Sequence, residues 1–174
     1  MNILITDNTS VIGTALYNRL IADGHDITVY DVDLNQSDDV FKQEIDFENF
    51  DICLNNKYQA SNDDKDHGQL RLNAIFLDLW SNSVLKYIIN IADKCAVDNH
   101  IYWQGNKQYR ADQVKWNAIE RKKSSEGSYP NHCVMYIDHD DSKATVYADI
   151  VSHMVKTCSE VWVSKIVIGR VGND

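Results

Sequence analysis

Short apolar runs alternate along this chain with longer stretches whose apolar residues recur at helical spacing. Short apolar runs are typical of buried strands, and apolar residues three or four positions apart are typical of one face of a helix. Gly24 follows the first helical stretch and is placed to end it. The pattern predicts strands at residues 2–6, 27–30, 51–54, 87–91, 133–137 and 161–168, and helices at residues 11–22, 69–84, 111–123 and 144–157.

Strands and helices that alternate in this order predict an α/β fold with a parallel sheet. Parallel neighbours are joined by a crossover connection, which is usually a helix packed on one sheet face. We therefore expect a three-layer, Rossmann-like, doubly wound and mostly parallel sheet with helices on both faces. From residue 46 to residue 51 there is too little chain for a helical crossover. Either a third, edge strand does not form before that point, or a bare extended segment makes the connection.

Composition limits the number of domains and the classes of partner. The 174 residues, 44% of them hydrophobic, suffice for one sizeable core, so we expect a single domain over residues 1–174. The formal charge of −9 weighs against nucleic acid and anionic membranes as partners, because binding to phosphates depends on Lys and Arg. No apolar stretch is long enough to span a membrane and no signal peptide is evident, which predicts a cytoplasmic location. Widely separated cysteines beside apolar runs predict reduced packing residues and no metal site: Cys53, Cys95, Cys133 and Cys158.

The segment between the first predicted strand and helix lies where a dinucleotide-binding βαβ unit has its phosphate loop. It reads T-D-N-T-S-V-I-G and keeps only the third glycine of the fingerprint, Gly13, which lets the helix pack on the strand. If the loop has T-G-x-x-G-x-x-G spacing, Asp7 and Ser10 occupy the two ligand-side positions. A carboxylate about 4 Å from one phosphate charge costs roughly 4 kcal/mol at an effective dielectric near 20, or about three decades in affinity. The loop predicts a Rossmann scaffold with weak or no dinucleotide binding.

Polar residues at the ends of other predicted strands are further candidates for a cofactor site. Asp31 and Asp33 either accept hydrogen bonds from an adenosine ribose, which favours NAD over NADP, or form an acidic turn. Asn55 and Asn56 either contact a cofactor or satisfy backbone groups at the end of a strand. The acidic turn at residues 138–142 is compatible with a hard cation, although its composition favours a solvated helix cap.

The order of these features resembles the short-chain dehydrogenase/reductase family over most of the chain. The resemblance rests on ILIT-loop-IG at the start, on the acidic residue after the second strand, and on the segments DICLNN, RLNAIF, YIINIADKCA and YRADQVKWNAIE. It implies a Rossmann fold, an NAD(P) cofactor and oxidoreductase chemistry. Lys57 and Tyr58 stand where the family has Ala-Gly, which crowds the cofactor groove. The resemblance places cofactor contacts at Asp7, Ser10, Ile12, Gly13, Asp31, Asp46, Asn55 and Asn56.

The catalytic positions that the resemblance implies are only partly retained. Tyr109 matches the family's acid/base tyrosine, and Asn73 matches its helix-borne asparagine. The lysine position, four residues after the tyrosine, is Gln113, and the serine position falls at or near Asp93. A tyrosine with an ordinary pKa of about 10 needs a neighbouring cation to act as a base at neutral pH, and a neighbouring carboxylate raises that pKa further. Both departures predict impaired catalysis.

Two functional hypotheses follow. The first is a catalytically impaired protein of this type that acts in binding or assembly, with at most weak affinity for NAD. The alternative is an active NAD-dependent oxidoreductase or epimerase-like enzyme that uses Tyr109 and Asn73 with a cation from elsewhere. The resemblance also implies a homodimer, because in the family the helices that correspond to residues 70–84 and 111–123 pair across a two-fold axis. The first of these helices exposes extra apolar surface unless its aromatic residues all pack inward on the sheet.

Overall fold

The computed structural model describes residues 1–30, 49–56, 87–93, 131–138, 140–160, 163 and 165–168. In this part of the chain, six parallel strands form one sheet in the order β2-β1-β3-β4-β5-β6. The strands are β1 (Asn2–Ile5), β2 (Asp26–Val29), β3 (Ile52–Asn55), β4 (Tyr87–Asp93), β5 (Asn131–Ile137) and β6 (Lys165–Val167). Helix α1 (Val11–Ala22) connects β1 to β2, and helix α2 (Ala144–Thr157), preceded by a 3-10 turn at Asp141–Lys143, connects β5 to β6.

The predicted α/β, Rossmann-like parallel fold is confirmed. The bounds of α1 and α2 agree with the prediction, whereas β4 extends two residues past position 91 and the described part of β6 is three residues long. Among the described strands, β2 lies at the edge of the sheet. The predicted helices at residues 69–84 and 111–123 lie outside the described residues, as does the region in which a third, edge strand was in doubt.

Burial of both sheet faces explains the continuous apolar runs in the central strands. Ile3 and Ile5 belong to the core beneath α1 and α2, while Leu4 is buried on the opposite face. In β5, Met135 belongs to that same core and Tyr136 to a separate buried cluster. Successive side chains of a strand point to opposite faces, so a strand that is covered on both sides needs apolar residues at every position.

Helix α1 forms from apolar residues at a spacing of four and ends at a glycine. Ile12, Leu16 and Leu20 are buried on the face toward the sheet. Gly24 follows the C-cap with a φ of +82°, a left-handed conformation that residues with a Cβ adopt at a cost. The helix stop predicted from the sequence is confirmed.

The two described helices lie on the same face of the sheet, and this fixes the hand of one connection. Leu16 of α1 and Val151 of α2 share one core cluster. The connection from β1 to β2 advances in one direction across the sheet, and the connection from β5 to β6 advances in the other. Connections on one face that advance in opposite directions have opposite hands. About 98% of such crossovers are right-handed. With β1-α1-β2 as the ordinary right-handed unit, β5-α2-β6 is left-handed.

A group of charged and polar side chains, which we call the Asp23 clamp, joins α1 to α2. The Asp23 carboxylate accepts hydrogen bonds from Lys156 Nζ at 2.7 Å, from Ser152 Oγ at 2.5 Å and from Arg19 Nε at 3.2 Å. Arg19 Nη1 also donates to Asp149 Oδ1 at 2.6 Å. The hydrogen bonds from Lys156 and Ser152, followed by the effect of Arg19, hold the pKa of Asp23 well below its usual range. The clamp therefore links two helices that are far apart in sequence.

Two expectations from composition concern cysteines and membrane spans. Cys53, Cys133 and Cys158 are buried and form no disulfide within the described part of the chain, as predicted for reduced packing residues, and Cys95 lies outside the described residues. Burial raises the pKa of Cys133 to about 12, and that of Cys53 is raised for the same reason. No helix in the described part of the chain is both long enough and apolar enough to cross a membrane.

The Asp23 clamp predicts a pH-dependent contribution to stability. We expect Asp23→Ala to lower the free energy of unfolding, measured by urea titration at pH 7. Because the folded-state pKa of Asp23 lies below its unfolded-state value of about 3.9, the contribution is fully present above that pH and is lost as the pH falls. The difference from wild type should shrink between pH 5 and pH 3. Asp26→Ala removes an exposed carboxylate outside the clamp and is the control; an equal effect of both substitutions, or a difference independent of pH, would contradict the prediction.

Candidate functional site

The ends of β1 and β3 form the natural ligand crevice of this sheet. In a parallel sheet all carboxyl ends lie at one edge, and ligands bind where neighbouring strands lead the chain in opposite directions. Strand β1 leads through α1 to β2 on one side, while β3 has β4 on its other side. The loop at residues 6–10 follows β1, and Asn55 ends β3 with Asn56 directly after it. The predicted phosphate loop and the two asparagines therefore meet at this crevice.

Asp7 turns its carboxylate back onto the loop that it begins. Its Oδ1 accepts hydrogen bonds from Thr9 N at 2.9 Å and from Thr9 Oγ1 at 2.6 Å. Its Oδ2 accepts from Ser10 N at 3.4 Å and from Ser10 Oγ. Only 4% of the Asp7 surface is exposed. The carboxylate is a buried anion held by two backbone N–H groups and two hydroxyls, and hydrogen bonds to charged acceptors are stronger than neutral ones.

Ser10 connects this carboxylate to the first turn of α1. It is the N-cap residue, with extended φ and ψ of −68° and 160°, and its Oγ accepts a hydrogen bond from Gly13 N at 3.0 Å. The same hydroxyl donates to Asp7. The N-terminus of a helix attracts negative charge because its N–H groups point outward and the helix dipole is positive there. Asp7 thus places the chain's own negative charge beside the helix end that would receive a phosphate.

Gly13 is required by the close approach of Asp7 and Ser10. A Cβ atom at position 13 would lie 2.6 Å from the carbonyl oxygen of Asp7, 2.8 Å from Asp7 Oδ2 and 2.9 Å from Ser10 Oγ. The sequence assigned this glycine to packing of the helix on the strand. The structure specifies the contact: the helix approaches the residues just after β1, including the carboxylate that fills the loop.

Asn56 fixes the other side of the crevice by pairing with the Asp7 backbone. Its Nδ2 donates to the Asp7 carbonyl at 2.6 Å, and its Oδ1 accepts from Asp7 N at 3.2 Å. Asn56 N donates to Thr6 Oγ1 at 3.0 Å, and the Thr6 hydroxyl donates to Asn55 Oδ1 at 3.2 Å. Thr6, Asn55 and Asn56 are all buried. Asn56 therefore satisfies backbone groups of Asp7, and its contact with a cofactor stays a prediction.

The remaining predicted site residues divide into described and undescribed ones. The Ile12 side chain is buried in the core. Asp93 is the last residue of β4, at the carboxyl edge. Tyr109, Asn73, Gln113, Asp31 and Asp46 lie outside the described residues, so their roles stay predictions.

Two threonines of the site were not identified from the sequence. Thr9 donates twice to Asp7, and the pattern D-x-T-S is typical of an Asx turn, so a local signal for it exists. Thr6 follows Ile5, which pairs with Leu54 across the two strands. This register brings the Thr6 hydroxyl beside the two asparagines. That partnership depends on strand register and has no local signal.

The acidic turn after β5 forms a separate cluster, in which Asp140 caps the 3-10 turn that precedes α2. Asp138 accepts hydrogen bonds from Lys143 Nζ at 2.6 Å and from the Tyr147 hydroxyl, while Asp140 Oδ1 accepts from Ser142 N at 3.0 Å. Burial alone would raise the pKa of Asp138, but the bonds from Lys143 and Tyr147 lower it to about 2. Burial and the Asp138 carboxylate raise the pKa of Tyr147. This tyrosine stays protonated at neutral pH, and the turn has the helix-capping role that its sequence favours. Among the described residues no group of three or more metal-ligating side chains comes together.

Comparison with known proteins places this geometry in a fold family. No family model and no curated protein sequence matches the chain. Solved structures do match it. The 3-alpha-hydroxysteroid dehydrogenase from Pseudomonas sp. B-0831, complexed with NADH, superposes with a TM-score of 0.68 at 13% identity, over 97% of this chain and 94% of that one. The chain has the short-chain dehydrogenase/reductase fold.

Two further structures support the same assignment. An alcohol dehydrogenase from the archaeon Thermococcus sibiricus, complexed with 5-hydroxy-NADP, gives a TM-score of 0.68 at 14% identity over 98% of this chain and 96% of that one. A short-chain dehydrogenase/reductase superfamily protein from Agrobacterium tumefaciens with bound NAD gives 0.61 at 12% identity, over 78% of this chain. The match spans about half of the Agrobacterium chain, 48%. At such identities the likeness shows the fold alone.

The short-chain dehydrogenase/reductase fold implies a dinucleotide at the crevice, and the residues present do not fit its pyrophosphate. The Thr9 and Ser10 N–H groups, which lie just before α1, donate to the Asp7 carboxylate. The N–H of Gly13 donates to Ser10 Oγ. A pyrophosphate at this helix end would meet a buried carboxylate that already accepts hydrogen bonds from two N–H groups of the loop.

The close contacts at Gly13 predict that replacing this glycine by alanine lowers the stability of the protein, which is the opposite of the usual effect in a helix. Replacing glycine by alanine inside an exposed helix normally stabilises it by about 0.5–1 kcal/mol. We expect Gly13→Ala to destabilise the protein by about 1–3 kcal/mol, the range for overpacking, because the Asp7 carbonyl is backbone and must shift. Urea unfolding measures the effect. Asn18→Ala, at an exposed position of the same helix, is the control, and a Gly13→Ala protein as stable as wild type would refute the close contact.

Proposed function

We propose that this protein is a dinucleotide-independent member of the short-chain dehydrogenase/reductase fold group that acts in binding or assembly. The observation that carries the proposal is the Asp7 carboxylate, buried in the phosphate loop and hydrogen-bonded to Thr9 and Ser10. The loop has its own anion, and the fold's usual cofactor brings another. On this proposal the affinity for NAD is weak or absent.

Electrostatics supports the exclusion of a pyrophosphate. One carboxylate about 4 Å from one phosphate charge raises the free energy of the bound state by roughly 4 kcal/mol at an effective dielectric near 20. Because Asp7 is buried, salt screens this repulsion less than it screens surface charges. Moving the carboxylate aside would break its hydrogen bonds to Thr9 and Ser10, and the loss of hydrogen bonds by a buried charge costs free energy. Whether the carboxylate stays in the loop or moves aside, binding of the dinucleotide costs free energy.

The catalytic positions inferred from the family resemblance support the same proposal. Gln113 stands where the family's lysine lowers the tyrosine pKa, and Asp93 stands at or near the position of its serine. A missing cation and an added carboxylate both disfavour the phenolate form of Tyr109. The alternative function, an NAD-dependent oxidoreductase or epimerase-like enzyme that uses Tyr109 and Asn73, requires another cation near that hydroxyl.

Restoring the phosphate loop tests the proposal. We expect wild type to give little or no heat with NADH or ADP-ribose in calorimetric titration. The double variant Asp7→Gly with Ser10→Gly removes the repulsion and lets the backbone approach the pyrophosphate, so its affinity for NAD should rise by up to about three decades. If Asp31 contacts the ribose, the gain should be larger for NAD than for NADP. Asp26→Gly, which also removes one carboxylate and adds a glycine, is the matched control and should change nothing.

Two outcomes would contradict this account. If the double variant keeps its fold by circular dichroism and binds NAD no better than wild type, the loop is not the obstacle and the rest of the crevice is closed. If wild type binds NADH tightly and reduces a carbonyl substrate, and Tyr109→Phe abolishes the turnover, the enzyme alternative is correct.

We also propose that the protein forms a homodimer through the helices predicted at residues 70–84 and 111–123. Light scattering at micromolar concentration should give twice the chain mass of 20.0 kDa. Trp80→Glu, in the first of these helices, should shift the mass to that of a monomer by placing a charge in an apolar interface. Val146→Glu changes an exposed apolar residue of α2 and should leave the dimer intact. A monomeric wild type would refute this pairing.

A further inference from the structure

A groove of about 710 Å³ lies between the first halves of α1 and α2. Small side chains line it on both helices, Ala15 on α1 and Ala144 and Ala148 on α2, and the two on α2 are buried. Val11 contributes an exposed apolar side chain, with 53% of its surface accessible. The volume falls within the range of about 300–1,000 Å³ that is typical of small-molecule sites.

The groove is a product of helix packing. Leu16 of α1 and Tyr147 of α2 point into the core, so the alanines that line the groove leave space between the outer surfaces of the two helices. The Asp23 clamp ties the same two helices together through the bond of Arg19 to Asp149 and the bond of Lys156 to Asp23. A groove between two linked helices is preformed, which lowers the cost of ordering a binding site.

The polar lining of the groove carries an excess of negative charge. Among the described residues that line the groove, Arg19 is the one basic residue, and its guanidinium is already paired with Asp149 inside the groove and with Asp23 beside it. Asp141 also lines the groove and has no ion-pair partner among the described residues. The nearest lysine in sequence, Lys143, is held by two other carboxylates. The groove therefore offers an unneutralised carboxylate next to an apolar floor.

We propose that this groove binds a small aliphatic ammonium ligand, with its cation at Asp141 and its carbon chain on the alanine floor. Asn18 and Thr145, both exposed, also line the groove and carry oxygen atoms that accept hydrogen bonds. The formal charge of −9 attracts cations to the protein and repels carboxylate or phosphate ligands. This site is separate from the crevice between β1 and β3 and does not depend on the state of the phosphate loop.

A matched series of four-carbon probes tests the charge requirement. We expect butylammonium, followed by ¹H–¹⁵N correlation spectra of the full chain, to shift the amide signals of Asn18, Asp141 and Thr145 in a saturable way. 1-Butanol has the same chain without the charge and should bind more weakly, and butyrate should produce no saturable shift. Equal binding of all three probes, or shifts scattered over the surface without saturation, would overturn the proposal.

Substitutions separate the groove from general attraction to an acidic protein. Asp141→Asn should weaken butylammonium binding by about fivefold, the upper range for an exposed ion pair. Thr145→Leu fills part of the groove from an exposed helix position, so it should weaken binding without unfolding the protein. Asp26→Asn makes the same change in net charge away from the groove and should leave the affinity unchanged. If Asp26→Asn weakens binding as much as Asp141→Asn does, the attraction is non-specific and the site does not exist.

Discussion

The structure of the candidate site depends on where the Asp7 carboxylate points. Loop N–H groups ahead of a helix need acceptors, and a dinucleotide phosphate is one acceptor that this position can receive. Here an acceptor is attached to the loop itself, so it is always present at the N–H groups of Thr9 and Ser10. An attached group loses no translational freedom when it binds, which favours it over a free ligand. The N–H groups of Thr9 and Ser10 therefore have an acceptor without a cofactor.

The residues around Asp7 are those that the inward orientation of its carboxylate requires. Gly13 leaves room for the carboxylate, because any Cβ there would meet it and the Asp7 carbonyl. Asn56 holds the Asp7 backbone from β3, so the loop is fixed from both strands of the crevice. Buried polar groups cost stability unless they are hydrogen-bonded, and here Thr6 and Asn55 complete the set of partners. Removing one member would leave others buried without their bonds.

The sequence predicted the fold well because its signals are local. Strands buried on both faces give apolar runs, and α1 ends at Gly24, whose positive φ is what the sequence position required. Asp7 and Ser10 lie beside the start of α1, and their assignment to the two ligand-side positions stays a prediction. Their mutual bond and the role of Thr6 could not be predicted, since they depend on loop conformation and on the register of β1 with β3. The Asp23 clamp joins residues more than 120 positions apart, as in its bond to Ser152, and has no local pattern.

Loss of the two ligand-side glycines and gain of an aspartate and a serine are physically one change. A loop with glycines at those positions presents bare N–H groups and depends on a ligand or water to satisfy them. A loop with Asp7 and Ser10 satisfies the N–H groups of Thr9, Ser10 and Gly13 internally and gives α1 its N-cap. The fold is thereby stabilised at the point where a dinucleotide-binding βαβ unit has its phosphate loop. Stability without a ligand and affinity for a dinucleotide draw on the same hydrogen-bond donors, and this competition is the physical basis of the proposal that the chain binds NAD weakly or not at all.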